Sequence, residues 1–235
     1  MHATPTLSKK RRASRAGSAF ADWSFPDEDN HICRDILIAG DWEPEVGQAI
    51  RDSANPSWLF LDLGAHIGYF SHLATPLFRH VIAVEPLQYQ HLVANNPFIE
   101  THNVAVTDQD GLVDMWAVTP NTGMSWVCTP REGSVIVRSA TLTTILGDRR
   151  PEIIKCDIEG AEYLAFKDND VLDHCQVLIS EYCTSQLERT SGCSGRQYHD
   201  LVCEAGLSWF RMDGRPLPFR EMATGGYENY VARRL

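Results

Sequence analysis

The sequence predicts an α/β domain built on a doubly wound, mostly parallel sheet, and three observations carry that prediction. Short runs with apolar interiors recur at residues 58–63, 80–85, 152–157 and 176–181, the pattern of strands buried on both faces. Stretches of helical composition lie between them, as crossovers between parallel strands require. The chain then closes with two strand-like runs, 207–212 and 227–233, joined by a Gly/Pro-rich loop. No helix separates that last pair, so it forms an antiparallel hairpin at one edge of the sheet.

Composition sets the outer bounds. A chain of 235 residues with 43% apolar residues is long enough for one large domain with a substantial core. The formal net charge is −10, and Lys9, Lys10, Arg11, Arg12 and Arg15 carry all the charge of the first twenty residues. Setting those five aside leaves sixteen of the 21 basic residues against all 31 acidic ones, a body of charge about −15. Such a body lacks the basic face that tracks nucleic-acid phosphates, so no nucleic-acid partner is expected. The seven cysteines are odd in number, scattered and without a Cys-x-x-Cys pair, which fits reduced thiols in a cytoplasmic protein. No apolar run approaches membrane-spanning length, and no secretory h-region is visible. The expectation is a monomer or homodimer acting on a small molecule.

Taken in order, residues 1–20 read as a disordered basic tail, with some likeness to a transit peptide. Residues 21–56 hold Trp23, Phe25, Ile32, Ile36, Leu37, Ile38 and Trp42, too many apolar groups for a linker. They read as a cover over the main domain (57–235): one or two short strands near 31–39, then a helix from about Glu45 to Ser53 with Pro44 at its first turn. After the strand at 58–63 a helix begins at Tyr69. The strand at 80–85 stops at Pro86, and a helix follows to Asn96, closed by Pro97. Residues 102–107 form a third strand, with 112–118 as its antiparallel partner across an Asp-Gly turn. Residues 119–133 read as a loop, 135–138 as a short strand and 141–146 as a short helix. Helices at 160–167 and 195–205 complete the pattern, the latter stopped by Gly206.

In such a sheet a ligand lies across the carboxyl ends of the strands, and this chain places polar residues there. The first strand ends at Asp62 before a turn with Gly64 and Gly68, which brings backbone N–H groups to a ligand. The second ends at Glu85, where an acid can take both hydroxyls of a ribose. Asn103 and the backbone at Ala105 offer an edge for an adenine ring. A dinucleotide would call for Gly-x-Gly-x-x-Gly, with pyrophosphate against the middle glycine; here His66 stands in that place. A ligand with adenosine but no pyrophosphate fits better, which points to S-adenosylmethionine. An NAD-dependent oxidoreductase is the competing enzyme reading, and a non-catalytic interaction domain the other alternative.

The separated motifs Gly40-Asp41-Trp42-Glu43-Pro44, Phe60-Leu61-Asp62-Leu63-Gly64-Ala65-His66-Ile67-Gly68-Tyr69, Glu85-Pro86, Asn103-Val104-Ala105-Val106, Thr141-Leu142 and Ile154-Lys155-Cys156-Asp157-Ile158-Glu159-Gly160-Ala161-Glu162 together resemble the FkbM-type methyltransferases over roughly residues 30–233. The resemblance implies a seven-stranded class I, Rossmann-like sheet and S-adenosylmethionine-dependent methyl transfer, usually to a hydroxyl of a small natural product. It implies cofactor contacts from Asp62, Gly64, Ala65, His66, Gly68, Glu85, Asn103, Ala105 and Asp157. One departure stands out: the family usually has Asn where this chain has the larger, titratable His66.

A hydroxyl acceptor gains from a base that takes its proton as the new bond forms, about 10²–10⁴-fold in rate. Asp157, Glu159 and His66 are the leading candidates, with Glu181, His31 and Glu43 behind them. On residues alone the acids at 157–162 fit a helix cap as well as they fit chemistry; the resemblance tips Asp157 towards the methyl-transfer centre. Asp157, Glu159 and Glu181 also suit a Mg²⁺ ion, but nothing in their spacing demands one, and a metal-free mechanism is expected. Trp42, Met124 and Trp126 are candidates to line the acceptor pocket.

Overall fold

In the computed structural model the described residues are 19–27, 31–222 and 226–235. The expected disordered tail therefore lies, save for its last two residues, outside them. Ahead of the first strand the cover contributes two helices, α1 (Ile32–Ala39) and α2 (Pro44–Asp52). The strands expected near 31–39 are thus corrected to a helix. Ile32, Cys33 and Ile36 fall on one buried face at helical spacing, while Ile38 is 74% exposed. The β-branched Ile32, Ile36 and Ile38 suggest a strand, but the periodicity of burial is helical. Val46, Ala49 and Ile50 of α2 join Phe25 and α1 in one cluster with Phe60, Phe70, Phe78 and Val81. The cover therefore shares the core of the sheet, and each such buried side chain contributes about 1.5–3 kcal/mol.

Strand β1 (Asn55–Leu63) begins three residues earlier than the expected 58, and Pro56 falls in the irregular register between Asn55 and Leu59. It leads through the glycine turn into α3 (Tyr69–Ala74), then β2 (Phe78–Val84), α4 (Tyr89–Asn95) and β3 (Glu100–His102). The single strand expected at 102–107 is two. After β3 the Asn103 side chain donates to the carbonyls of Glu85 and Pro86, at 3.1 and 2.9 Å, and the chain leaves the main sheet there. β4 (Ala105–Val106) belongs to a second sheet with β5 (Gly111–Trp116), β6 (Trp126–Cys128) and β7 (Val135–Ala140), in the order β4-β7-β5-β6. β5 pairs antiparallel with β7 and β6, and not with the strand before it as expected. The expected loop at 119–133 likewise contains a 3₁₀ turn (Thr122–Met124) and β6.

The chain returns through α5 (Leu142–Leu146), capped by Thr141, to β8 (Ile153–Cys156), α6 (Glu162–Phe166), α7 (Val171–His174) and β9 (Val177–Tyr182). A short helix (Thr184–Gln186) runs into a π turn (Leu187–Ser191); α8 (Gly195–Glu204) follows, with a complete capping box from Ser194 and Gln197. β10 (Leu207–Arg211) and β11 (Glu228–Arg234) close the fold. The main sheet has seven strands in the order β10-β11-β9-β8-β1-β2-β3. Its pairs are parallel except those of β11, which lies antiparallel between β9 and β10. That is the expected closing hairpin. From β1 the chain winds outward through β2 and β3, then back to β8 and β9, so the carboxyl ends of β1 and β8 flank the crevice where a ligand binds. All seven cysteines are free, five of them buried. Among the described residues no helix is long and apolar enough to cross a membrane.

Candidate active site

A cleft of about 850 Å³, counting its open mouth, lies at that crevice. Gly64, Ala65, His66, Glu85, Ala105 and Asp157 line it, as does Glu159. The other three residues expected to touch cofactor lie behind its wall. Asp62 is fully buried, and its Oδ2 accepts a hydrogen bond from Ser71 Oγ at 2.6 Å. Gly68, at φ 87°, leaves room for the Asn96 side chain, which donates to the Gly68 carbonyl at 3.1 Å. Asn103 is exposed and braces the Glu85 and Pro86 carbonyls. These three shape the turn and the strand ends from outside the cleft.

The turn is closed by close packing. At Gly64, φ 74°, a Cβ would overlap the Asp157 carbonyl, so only glycine lets the exit of β1 lie against the exit of β8. His66 also sits in the left-handed region, at φ 52°. Its N–H donates to Glu85 Oε2 at 3.0 Å, and its ring Nε2 lies 2.7 Å from Thr122 Oγ1. The titratable ring thereby ties the cofactor turn to the 3₁₀ turn of the second sheet.

Glu85 is nearly buried and takes two further backbone N–H groups, from Leu87 and Gln88, on Oε1 at 2.7 and 2.8 Å. Burial raises its pKa, while the three backbone donors act in the opposite sense. One carboxylate thus fixes both the glycine turn and the start of the next helix. Three of its four or so acceptor positions are used, which leaves capacity on Oε2 for a hydroxyl. Beside it Pro86, Leu87, Val104, Ala105, Val106 and Met115 form an apolar stretch of the cleft wall.

Beneath the turn Lys155, an isolated cation in a buried strand, donates to the Gly64 carbonyl at 3.0 Å. Its Nζ also lies 3.3 Å from Asp157 and 3.7 Å from Asp62. Burial alone lowers an ammonium pKa, but the carboxylates of Asp157, Asp62 and Glu43 outweigh it and raise that of Lys155. Lys155 is therefore charged, and it orients Asp157 from below.

The far end of the cleft is acidic. Ligand atoms of Asp157, Glu159 and Glu181 all lie within 4.8 Å of one another. Burial, then repulsion from Asp157, pushes Glu159 up to about 9 and Glu181 up to about 11. Glu159 is held in the left-handed region at φ 56° and accepts from the Gln186 side chain. From the cover, Glu43 at the start of α2 adopts φ 44° and feels Asp157 and Lys155; burial first, then Asp157, raises it to about 7. Glu162 has another task. Its Oε1 accepts from the N–H groups of Ile158 and Gly160, at 3.0 and 3.3 Å, so it caps the turn into α6. Cap and cleft-facing acid are therefore different residues of the same short run.

Several contributors were not expected. Lys155 had a visible mark, a charge inside an apolar strand, which signals a buried pair. Thr122 had none, because its place opposite His66 depends on the pairing of β5 with β6. Of the aromatic and sulfur-bearing candidates for the acceptor pocket, Trp42 lines the cleft, whereas Met124 and Trp126 do not.

A main sheet of this order, wound outward on both sides of β1 and closed by one antiparallel strand, with a glycine turn and a strand-end acid at the crevice, is the class I, Rossmann-like fold of methyltransferases. The model of the FkbM methyltransferase domain matches residues 62–207, well over half of the chain, and the protein belongs to that family. No curated protein sequence matches it. Among solved structures, a TehB-like S-adenosylmethionine-dependent methyltransferase from Corynebacterium glutamicum is similar, with a TM-score of 0.50 at 11% identity, over 86% of this chain and 94% of that one. The N-methyltransferase NodS from Bradyrhizobium japonicum gives 0.46 at 11% identity, over 82% and 96%. At such identities the likeness is one of fold. The family implies S-adenosylmethionine as methyl donor, and the residues suit it: an apolar slot for adenine and spare acceptor capacity on Glu85 for a ribose hydroxyl.

Proposed function

We propose that this methyltransferase acts on a hydroxyl group of a small metabolite, such as a polyketide, a sugar or another natural product. S-adenosylmethionine supplies a methyl carbon on a sulfonium, open to in-line attack by an acceptor oxygen. Most of the acceleration then comes from holding oxygen and carbon in line. Glu85 fixes the ribose and the turn backbone carries the rest of the cofactor. Asp157 takes the acceptor proton as the oxygen–methyl bond forms.

The observation that carries this reading is the placement of Asp157. It is 29% exposed to the cleft and its carboxylate faces Lys155 at 3.3 Å, so it is both reachable and oriented. Glu159 and Glu181, with pKa values well above neutral, are protonated at working pH. They serve as hydrogen-bond donors to the acceptor or to Asp157. The base role expected for Glu159 passes to Asp157, and that expected for His66 becomes one of tethering. We assign the cluster of Asp157, Glu159 and Glu181 to proton handling.

Incubation of the full chain with methyl-labelled S-adenosylmethionine and a metabolite extract tests this directly. The expected product is a labelled small-molecule methyl ether. Label confined to nitrogen-methylated products, protein or nucleic acid would overturn the reading, and no calorimetric binding of S-adenosylmethionine would favour a non-catalytic domain.

A further inference from the structure

Next to the cleft, two separate segments bring a guanidinium group against the same indole. Arg189, in the π turn, places Cζ 3.9 Å from the ring centroid of Trp126 on β6. Arg131 lies 5.6 Å from Trp126 and 3.9 Å from Trp116, its cross-strand neighbour on β5. Both arginines are exposed, and among the described residues neither makes an ion pair with a carboxylate. Stacking occupies the face of a guanidinium and fixes its plane, while the N–H edge stays free to donate two parallel hydrogen bonds. In a chain with 31 acidic residues against 21 basic ones, two guanidiniums on one indole without a carboxylate partner are out of keeping with the rest of the surface.

Their location links them to the chemistry. Ser125 and Val127, on either side of Trp126, line the cleft, and strand alternation turns the indole between them to the opposite face of β6. Thr190, beside Arg189, donates through Oγ1 to the Glu159 carbonyl at 3.1 Å, and Glu159 lines the acidic end. The positive charge of Arg189 acts on Glu159 in the opposite sense to burial. Arg189 therefore stands between the acidic end of the cleft and the indole platform.

We infer that Arg131 and Arg189 form a subsite for an oxyanion carried by the methyl acceptor, a phosphate or a carboxylate, with Trp126 as the platform that orients them. The acceptor is then an anionic hydroxylated small molecule, anchored outside the cleft by its oxyanion and reaching past Glu159 with its hydroxyl. This rests on the methyltransferase reading above and adds the class of acceptor to it.

Titration of the full chain with inorganic phosphate, and separately with acetate, at constant ionic strength in chloride, followed by calorimetry, tests the subsite. Saturable binding is expected, with phosphate the tighter ligand. Arg189→Gln and Arg131→Gln should each weaken it about tenfold, the loss of one charge-assisted bidentate contact, while affinity for S-adenosylmethionine on the same samples stays unchanged. Arg189→Lys keeps the charge but loses the fork, and should fall between; it also serves if a glutamine variant fails to fold. Phosphate binding no stronger than that of chloride, or unaltered in all three variants, overturns the subsite. In the labelled extract assay the methylated product should be retained on an anion-exchange resin, and a neutral product overturns the proposal as well. Failure of the wild type to bind S-adenosylmethionine is a separate result, and it strikes the methyltransferase reading instead.

Discussion

Lys155 Nζ lies 3.3 Å from the Asp157 carboxylate, and this one pair joins the buried floor of the glycine turn to the acidic end of the cleft. The same ammonium reaches Asp62, which is fully buried, and the Gly64 carbonyl. Removing it leaves Asp62 without its compensating charge. Lys155→Met is expected to cost about 3–5 kcal/mol, the usual penalty for breaking a buried pair from one side. Urea denaturation of wild type and variant checks this. A loss below about 1 kcal/mol would mean that Asp62 is already neutral.

Glu85 holds three backbone N–H groups and faces the cleft, so its replacement acts on both turn and ligand. Glu85→Gln keeps the shape but gives up one acceptor oxygen and the charge. S-adenosylmethionine affinity, read by calorimetry, is expected to drop by about tenfold to a hundredfold, in line with charge-assisted hydrogen bonds. Turnover at saturating cofactor should change much less. An unchanged affinity would place the ribose elsewhere.

The legibility of this chain follows physical range. The main sheet could be read because buried parallel strands leave short apolar runs, and because a closing pair without a crossover has to be antiparallel. The second sheet could not, since β4 and β6 are only two and three residues long and owe their existence to pairing with β7 and β5. Within the site, the position of Glu85, Asp157 and Gly64 at the cleft was legible from their places at strand ends. Asp62 lies behind the cleft wall because a strand-end acid can point down as well as up, and Lys155, which decides the matter, lies 93 residues further on, opposite Asp62 in the register of β1 with β8. The helix at 32–39 was misread because three β-branched residues outweighed a burial pattern of only two turns.

The carboxyl cluster makes stability depend on pH with a definite sign. Burial raises Glu43 and Glu162 to about 7, Glu159 to about 9 and Glu181 to about 11, all from an ordinary value of 4.5. Above 4.5 the unfolded chain releases these protons while the folded one keeps them. Stability is thus greatest near the low end of that window and falls as pH rises through it, by up to about 1.4 kcal/mol per pH unit for each proton retained. Thermal melts should show a lower Tm at pH 8.5 than at pH 5.5. Glu181→Gln, which stays neutral throughout, should flatten the profile. A rising profile would show that the cluster is ionised, and hence neutralised by something other than protons.

Asp157 and Glu43 divide the proton path in a way that pH–rate measurements separate. With Asp157 as the proposed acceptor-side base, Asp157→Asn is expected to lower turnover by about 10²–10⁴-fold, the range for loss of a general base, with cofactor affinity reduced far less. Glu43 is held near 7, first by burial and then by the charge of Asp157, and its backbone sits in a region that costs a non-glycine residue about 1–3 kcal/mol. Such strain is retained at sites where a side chain has to be in one place. If Glu43 relays the proton from Asp157 towards solvent, turnover rises as pH passes through about 7, the value at which Glu43 loses its own proton. Glu43→Gln should abolish that rise and leave a lower, flat rate, while S-adenosylmethionine binds as before. Should the rise persist in Glu43→Gln, the titrating group is another one, and Glu43 serves only to seat the start of α2 against the cleft.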